Sequence, residues 1–598
     1  MTIRESTAVE KWINYLYSLG PSSGNDNAYD ESLTMDLLSS EIAPIEIACD
    51  FDSDIVKKIR YCASTGESAL VLLTGMAGDG KTRTARVVWT ELTQADLCFW
   101  NQEPEPKAEL ASPSGQSYTV VFSKDLSANM DNEGPLDLFS VPANSCRVVA
   151  CNHGRILDRI RALEGNNSKL AQDIELALFE KIKQKDFVSS TGLKVCVFDL
   201  SMYDPAQKFE DILVAMLNRP EWSGCLNCAH CSKCMIFHNR NALWEDTEKK
   251  LKTPAKRQAE LARLISCSGI HLPIRDLLIV AANNLLGAHT PGSTRKRKRL
   301  ISCSDVRQSH SKKSLLESYV FANLLGENLQ ETERKKNLLF REFPSFGIGH
   351  YGPRAVDEIL QNPSRFPELR SLVGEPIAEL LWDRNPDSEK KLAKELLALR
   401  RQSMFFTYPE SKGTFEGFDR WQLTAFSFGG RYVRLLSDLA KHTTYVFSDL
   451  ILGMNRVFTG QYTVNNKSVV CVTTSGTNSK SIQGELLRCE LSVRSSKSTT
   501  NVIIALNQAK LPVLVFTEAS ETLKVILTPY LFEYFMRAAN GYIPDSLSKE
   551  SHSQALQLKF KLIERFAGQL DDNYELCLET LEKPSGARQQ INVNIDNV

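Results

Sequence analysis

The feature that most restricts this chain is an eight-residue run: Gly75, Met76, Ala77, Gly78, Asp79, Gly80, Lys81 and Thr82. It fits the spacing G-x-x-x-x-G-K-[ST] at every fixed position. A short apolar run, Ala69–Thr74, precedes it, and a segment of helical character follows from Lys81. The backbone amides of such a loop can curl round an anion, and the positive end of the next helix favours negative charge there. Strand, glycine-rich turn and helix in that order predict a site for ATP. Lys81 is expected to neutralise β- and γ-phosphate charge, and Thr82 to bind Mg²⁺ through its hydroxyl.

The surrounding pattern extends this to a fold. Leu97–Trp100, Tyr118–Phe122, Cys146–Cys151 and Lys194–Phe198 are short β-branched or aromatic runs separated by helical intervals. That alternation predicts a mostly parallel sheet covered by helices. The chain has 598 residues, enough for three or four domains. We expect an N-terminal helical segment over 1–50 and an α/β P-loop NTPase domain over 51–290, with a Cys-rich insertion at 221–240. A helical domain over 291–455 and an α+β domain over 456–598 complete the division. Ser388–Arg401 carries helical periodicity, and Ser468–Thr474, Glu485–Val493, Asn501–Leu506 and Val513–Phe516 read as strands. Leu531–Ala539 and Gln554–Phe566 read as amphipathic helices.

A hydrolysing site needs a carboxylate on a neighbouring strand for Mg²⁺ and water. Asp125, after Tyr118–Phe122, is the first candidate, and Asp199, closing Val195–Phe198, is the alternative. Neither is followed by glutamate, so the water-activating base stays unassigned. Asn152 ends another apolar run, either as an ordinary strand-end turn residue or at the polar position that in AAA+ folds reaches the γ-phosphate. Arg275, in the run HLPIRDLL, opens a helix beyond the sheet and can contact the same phosphate or form a surface ion pair.

Cys225, Cys228, Cys231 and Cys234 place four thiols within ten residues. Thiolates at two-residue gaps suit Zn²⁺ or an iron–sulfur cluster. Structural zinc is the first expectation, with His230 or His238 able to replace one thiol, and a 4Fe–4S cluster is the alternative. Met235 stands where the last ferredoxin cysteine usually has proline. The other cysteines, such as Cys98, Cys196 and Cys471, lie singly in apolar runs and read as reduced core residues.

Lys and Arg number 71 against 72 Asp and Glu, for a net charge of −1. A generally basic DNA-coating protein is excluded by that balance. The basic run RKRKR at 295–299 reads as an exposed loop able to touch phosphate. No stretch approaches 18 apolar residues, and the N-terminus lacks the apolar core of a signal peptide, so a cytoplasmic protein is expected.

These motifs in this order resemble the P-loop ATPases of bacterial phage-defence and DNA-restriction operons, in particular the DptF-like proteins of phosphorothioation-dependent restriction. The matching residues are GMAGDGKT at 75–82, KDLSAN at 124–129, VVACNHGRIL at 148–157 and FDLSMYDP at 198–205. MIFHNRNAL at 235–243, HLPIRDLL at 271–278 and LTPYLFEYFMRAANGYIP at 527–544 continue the match. The resemblance implies an ATPase working with a DNA-recognising or DNA-cleaving partner. The chain is therefore expected to act within a homo- or hetero-oligomer of defence-operon subunits. No arginine near the candidate strands is uniquely placed as a finger and no glutamate follows Asp125, so the ATP site is expected to be completed by a neighbouring chain. The competing expectation is a STAND-type scaffold that oligomerises on binding ATP without sustained turnover.

Overall fold

A computed structural model describes residues 8–20, 42–95, 99–100, 102–111, 115, 117–124, 138–228, 231, 234–286, 303, 320–352, 357, 386–406, 420–441, 444–445, 447–460, 467–473, 484–493, 501–508, 510–518, 520–542, 548–566, 575–581 and 588–594. Asp125, His230, Cys98 and the basic run 295–299 lie outside the described residues. The chain divides into two compact units. One is Met1–Arg263 with His271–Pro344, and the other is Leu264–Ile270 with Ser345–Val598.

The first unit is built on a six-stranded mixed sheet flanked by helices. After helix α1 (Ala8–Leu19) and helix α2 (Asp52–Thr65), strand β1 (Ala69–Gly75) leads into α3 (Lys81–Thr93). Strands β2 (Lys107–Ala111), β3 (Ser117–Ser123) and β4 (Ser145–Asn152) follow, then helices α4 (His153–Glu164) and α5 (Lys169–Phe179). Strands β5 (Gln184–Val188) and β6 (Lys194–Asp199) complete the sheet, in the order β2-β3-β4-β1-β6-β5. The four central strands are parallel, and β2 and β5 are antiparallel edges.

Every residue of β1 is buried, as a strand covered on both faces requires. Its side chains alternate between two cores. Ala69, Val71 and Leu73 join Ile59, Val88 and Trp100 on one face. Leu70 and Leu72 join Ile156, Ile160 and Ile174 on the other. A period of two thus gives each face its own helical cover.

The run Leu97–Trp100, expected as a strand, is not one where it is described. Phe99 and Trp100 sit in a 3₁₀ turn, which lets the Trp100 ring meet Trp89 at 5.7 Å and Phe122 at 5.9 Å between centroids. Burial of that large ring outweighs its strand propensity.

Beyond the sheet come α6 (Pro205–Leu217), the short α7 (Ser223–Leu226), α8 (Met235–Leu243), α9 (Thr253–Cys267) and α10 (Ile274–Leu286). Helix α10 is buried over most of its length. Its buried Asn284 exchanges hydrogen bonds of 2.6 and 3.2 Å with Gln258, and Asn239 of α8 donates to the Leu285 carbonyl at 3.1 Å. Buried amides are retained here because each finds a partner. The Arg219 guanidinium stacks on Trp12 of α1 at 4.5 Å.

The second unit combines helices with antiparallel sheets. Its helices include α11 (Pro386–Phe406), α12 (Gly429–Lys441), α13 (Ser448–Thr459), α14 (Pro529–Ala539) and α15 (Lys549–Phe566). Strands β7 (Val469–Thr473), β8 (Gly484–Ser492), β12 (Glu575–Leu581) and β13 (Arg588–Asn594) form one sheet in that order. Strands β9 (Asn501–Leu506), β10 (Pro512–Glu518) and β11 (Glu521–Ile526) form the other with Thr444–Tyr445. The buried Glu533 of α14 accepts the backbone N–H groups of Ser427 and Phe428, both at 2.9 Å, and the Arg537 guanidinium at 2.7 Å.

Candidate nucleotide-binding site

The loop from Gly75 to Gly80 leaves the carboxyl end of β1 and turns directly into α3. Gly78 has φ +92°, and a Cβ there would lie 3.1 Å from Arg275 Cβ and 3.2 Å from Pro273 Cβ. Both the backbone angle and the close neighbours therefore call for glycine. Asp79 closes the turn, its Oδ2 accepting the Met76 N–H at 2.6 Å. The Thr84 N–H donates to the Gly80 carbonyl at 2.8 Å, beginning the helical ladder.

Lys81, the first residue of α3, donates to the Met76 carbonyl at 2.7 Å and to Asn152 Oδ1 at 2.8 Å. Asn152 ends β4 and is paired in register with Gly75. Two residues 71 positions apart in the chain are thus brought together by the parallel pairing of β1 and β4. Thr82 Oγ1 lies 3.5 Å from the Lys124 carbonyl oxygen; Asp125 itself is outside the described residues.

Asp199 ends β6 opposite Thr74. Its Oδ1 accepts from Ser201 N at 3.0 Å, Ser201 Oγ at 2.6 Å and His153 Nε2 at 3.0 Å. Burial alone would raise this carboxyl, but the hydrogen bonds from His153 and Ser201 hold it below the ordinary range. Arg275 lies at the start of α10 against the loop, where its backbone N–H donates to the Gly78 carbonyl at 3.2 Å. Lys81, Asn152 and Arg275 therefore meet at the loop, and Asp199 stands at the end of the strand on its other side.

No family model, curated protein or solved structure matches the chain.

The cysteine segment is separate from this loop in sequence, and backbone hydrogen bonds link each of its cysteines to the one before. Cys228 N–H donates to the Cys225 carbonyl at 3.1 Å, Cys231 to Cys228 at 3.0 Å, and Cys234 to Cys231 at 3.2 Å. Burial pushes the Cys225 thiol up to about 12, aided by the charges of Cys234, Cys303 and Cys228. Among the described residues, no three His, Cys, Asp or Glu side chains converge in metal-ligating geometry. Donor chemistry and spacing suit a thiophilic metal, whereas the placement of the described side chains does not form its coordination shell.

Three residues were not legible as site components. Tyr203 and His271 reach the carboxylate of Asp79, and Cys303 lies within electrostatic reach of Cys225. His271 is 192 positions from Asp79, and no local spacing connects Cys303 to the other thiols. Within HLPIRDLL, the sequence marks Arg275 as a candidate phosphate contact and gives no such sign for His271.

Proposed function

We propose that this chain is the ATP-binding and ATP-hydrolysing subunit of a multi-protein bacterial antiphage or DNA-restriction system, with Mg²⁺ and ATP seated on residues 75–82. The observation that carries the nucleotide reading is the place of Lys81. Its Nζ lies within 2.8 Å of Asn152 Oδ1 and of the loop carbonyl of Met76, at the carboxyl ends of adjacent parallel strands. Ligands of open α/β sheets bind at that end. Lys81 supplies positive charge for the phosphates, Asn152 orients it, and Arg275 brings a second positive group beside Gly78. Bound Mg²⁺ would supply positive charge against the phosphates. Thr82 would hold the ion, with Asp125 or Asp199 as the carboxylate. The cysteine segment is read as a structural zinc site, supported by thiol spacing alone, with an iron–sulfur cluster as the competing occupant.

The defence role is supported by the run of motifs from GMAGDGKT to the 527–544 segment, and the near-neutral charge fits DNA contact made through partners. A STAND-type scaffold is the second reading. It is favoured by Leu126 and Leu200, which occupy the positions where a catalytic glutamate would follow either candidate aspartate.

The test is ATPase rate with and without double-stranded DNA, with mass photometry across a dilution series. DNA-stimulated multiple turnover supports the first reading. A single turnover with ATP-induced oligomers supports the second. Constant turnover per chain from a monomer at all concentrations defeats the shared-site arrangement. Wild-type ATP affinity in Lys81→Ala overturns the nucleotide site itself.

A further inference from the structure

The turn that shapes the candidate loop is closed by a buried carboxylate whose own partners come from two distant segments. Asp79 Oδ2 holds the Met76 amide at 2.6 Å. Asp79 Oδ1 faces His271 Nε2 at 2.7 Å and the Tyr203 hydroxyl at 3.2 Å. An ionised carboxylate only accepts, so His271 Nε2 carries the hydrogen of that contact. Tyr203 has one hydroxyl hydrogen and a second acceptor, the Leu272 carbonyl at 2.6 Å. The shorter contact takes the larger share, and Tyr203 thereby ties residue 272 into the same cluster. The His271 and Tyr203 rings meet edge to face at 5.7 Å.

We propose that His271 and Tyr203 are positioning residues for nucleotide binding, acting through Asp79. They fix the carboxylate, the carboxylate fixes the Met76 amide, and the loop's amides are set before phosphate arrives. Amides already aimed at an anion need less reorganisation to bind it. Without its donors, a buried carboxylate turns toward other groups or draws in water, and the loop turn loosens. The Arg275 N–H to Gly78 carbonyl bond at 3.2 Å fastens the same segment to the loop at a second point. The proposal rests on the nucleotide reading above.

The experiment titrates the full-length protein with a fluorescent ATP analogue and Mg²⁺, alongside thermal unfolding without nucleotide. His271→Ala is expected to raise Kd about tenfold, the effect of losing a hydrogen bond to a charged group. His271→Gln, which places an amide N–H where Nε2 was, should stay within about threefold of wild type on the same scale. Tyr203→Phe should weaken binding severalfold. In an Asp79→Asn background, His271→Ala should add nothing further, because the pathway through the carboxylate is already broken.

Unchanged affinity in both His271→Ala and Tyr203→Phe would overturn the proposal while Lys81→Ala still abolishes binding. So would a His271→Ala loss that persists undiminished in the Asp79→Asn background, or one that tracks a fall in unfolding temperature and is not rescued by glutamine. No binding by the wild-type protein, or full binding by Lys81→Ala, would instead overturn the nucleotide reading.

Discussion

The Lys81 ammonium and the Asn152 side-chain oxygen lie 2.8 Å apart, although one opens helix α3 and the other closes strand β4. Neighbouring parallel strands put both at the carboxyl ends of β1 and β4, and Asn152 sits in register with Gly75. Asn152 thus holds the lysine without adding negative charge that would repel phosphate. Asn152→Ala should leave ATP affinity within a few-fold but lower the hydrolysis rate by roughly 10²-fold, as misplacement of a reacting group does. Equal losses in binding and turnover, measured by titration and steady-state assay, would contradict this role.

A second prediction concerns packing in the second unit. Helices α13 and α14 approach so closely that a Cβ on Gly453 would come within 1.9 Å of the Phe535 carbonyl oxygen. Backbone cannot yield as a flexible side chain does. Gly453→Ala should therefore cost about 3 kcal/mol or more, the upper range for overpacking. Urea denaturation followed by a probe in 429–566 measures it, and a change below about 0.5 kcal/mol, the usual surface-substitution range, would show that the helices separate freely.

Acid–base behaviour gives a third test. Burial raises the Glu533 carboxyl and outweighs the lowering by Arg537 and the two backbone donors, so its net shift is upward. The folded state then binds this proton more tightly than the unfolded chain, whose glutamate titrates at about 4.3. The associated stability is present below that pH and is lost as pH rises through the folded value. Glu533→Gln should be less stable at every pH, because its amide meets donors. The gap between wild type and variant should nonetheless narrow as pH rises from about 4, where unfolded glutamate titrates, toward neutrality. A gap that widens over that range would reverse the sign assigned to Glu533.

For the cysteine segment we expect about one zinc per chain, the stoichiometry of a four-thiolate structural site. Binding would require the Cys225 thiol, pushed up to about 12, to lose its proton, so metal uptake should release protons and weaken in acid. Cys225→Ser should abolish the zinc seen by elemental analysis. Iron with visible thiolate absorbance would convert the site to a cluster, and absence of both metals after anaerobic purification would reject it.

The stretch from Ala69 to Thr93 was legible because its determinants are local. A continuous apolar run makes a doubly covered strand, glycines permit the turn, and the following helix begins at the lysine the spacing specifies. The α/β class and the later strands at 469–473, 484–492, 501–506 and 512–518 were legible for the same reason. Edge strands β2 and β5 were not. Their residues are mostly exposed, so they carry little of the apolar pattern by which a strand is recognised.

Sequence alone, then, determined the loop, its lysine and the elements on either side, since backbone conformation and hydrophobic period act over a few residues. Tertiary structure decided which distant side chains complete the neighbourhood. Strand order set Asn152 against Lys81, and the approach of residues 271–275 delivered His271 to a carboxylate 192 positions away. Such partners are chosen by the burial of whole faces and by the need of buried charge for a donor, and neither leaves a spacing in the chain.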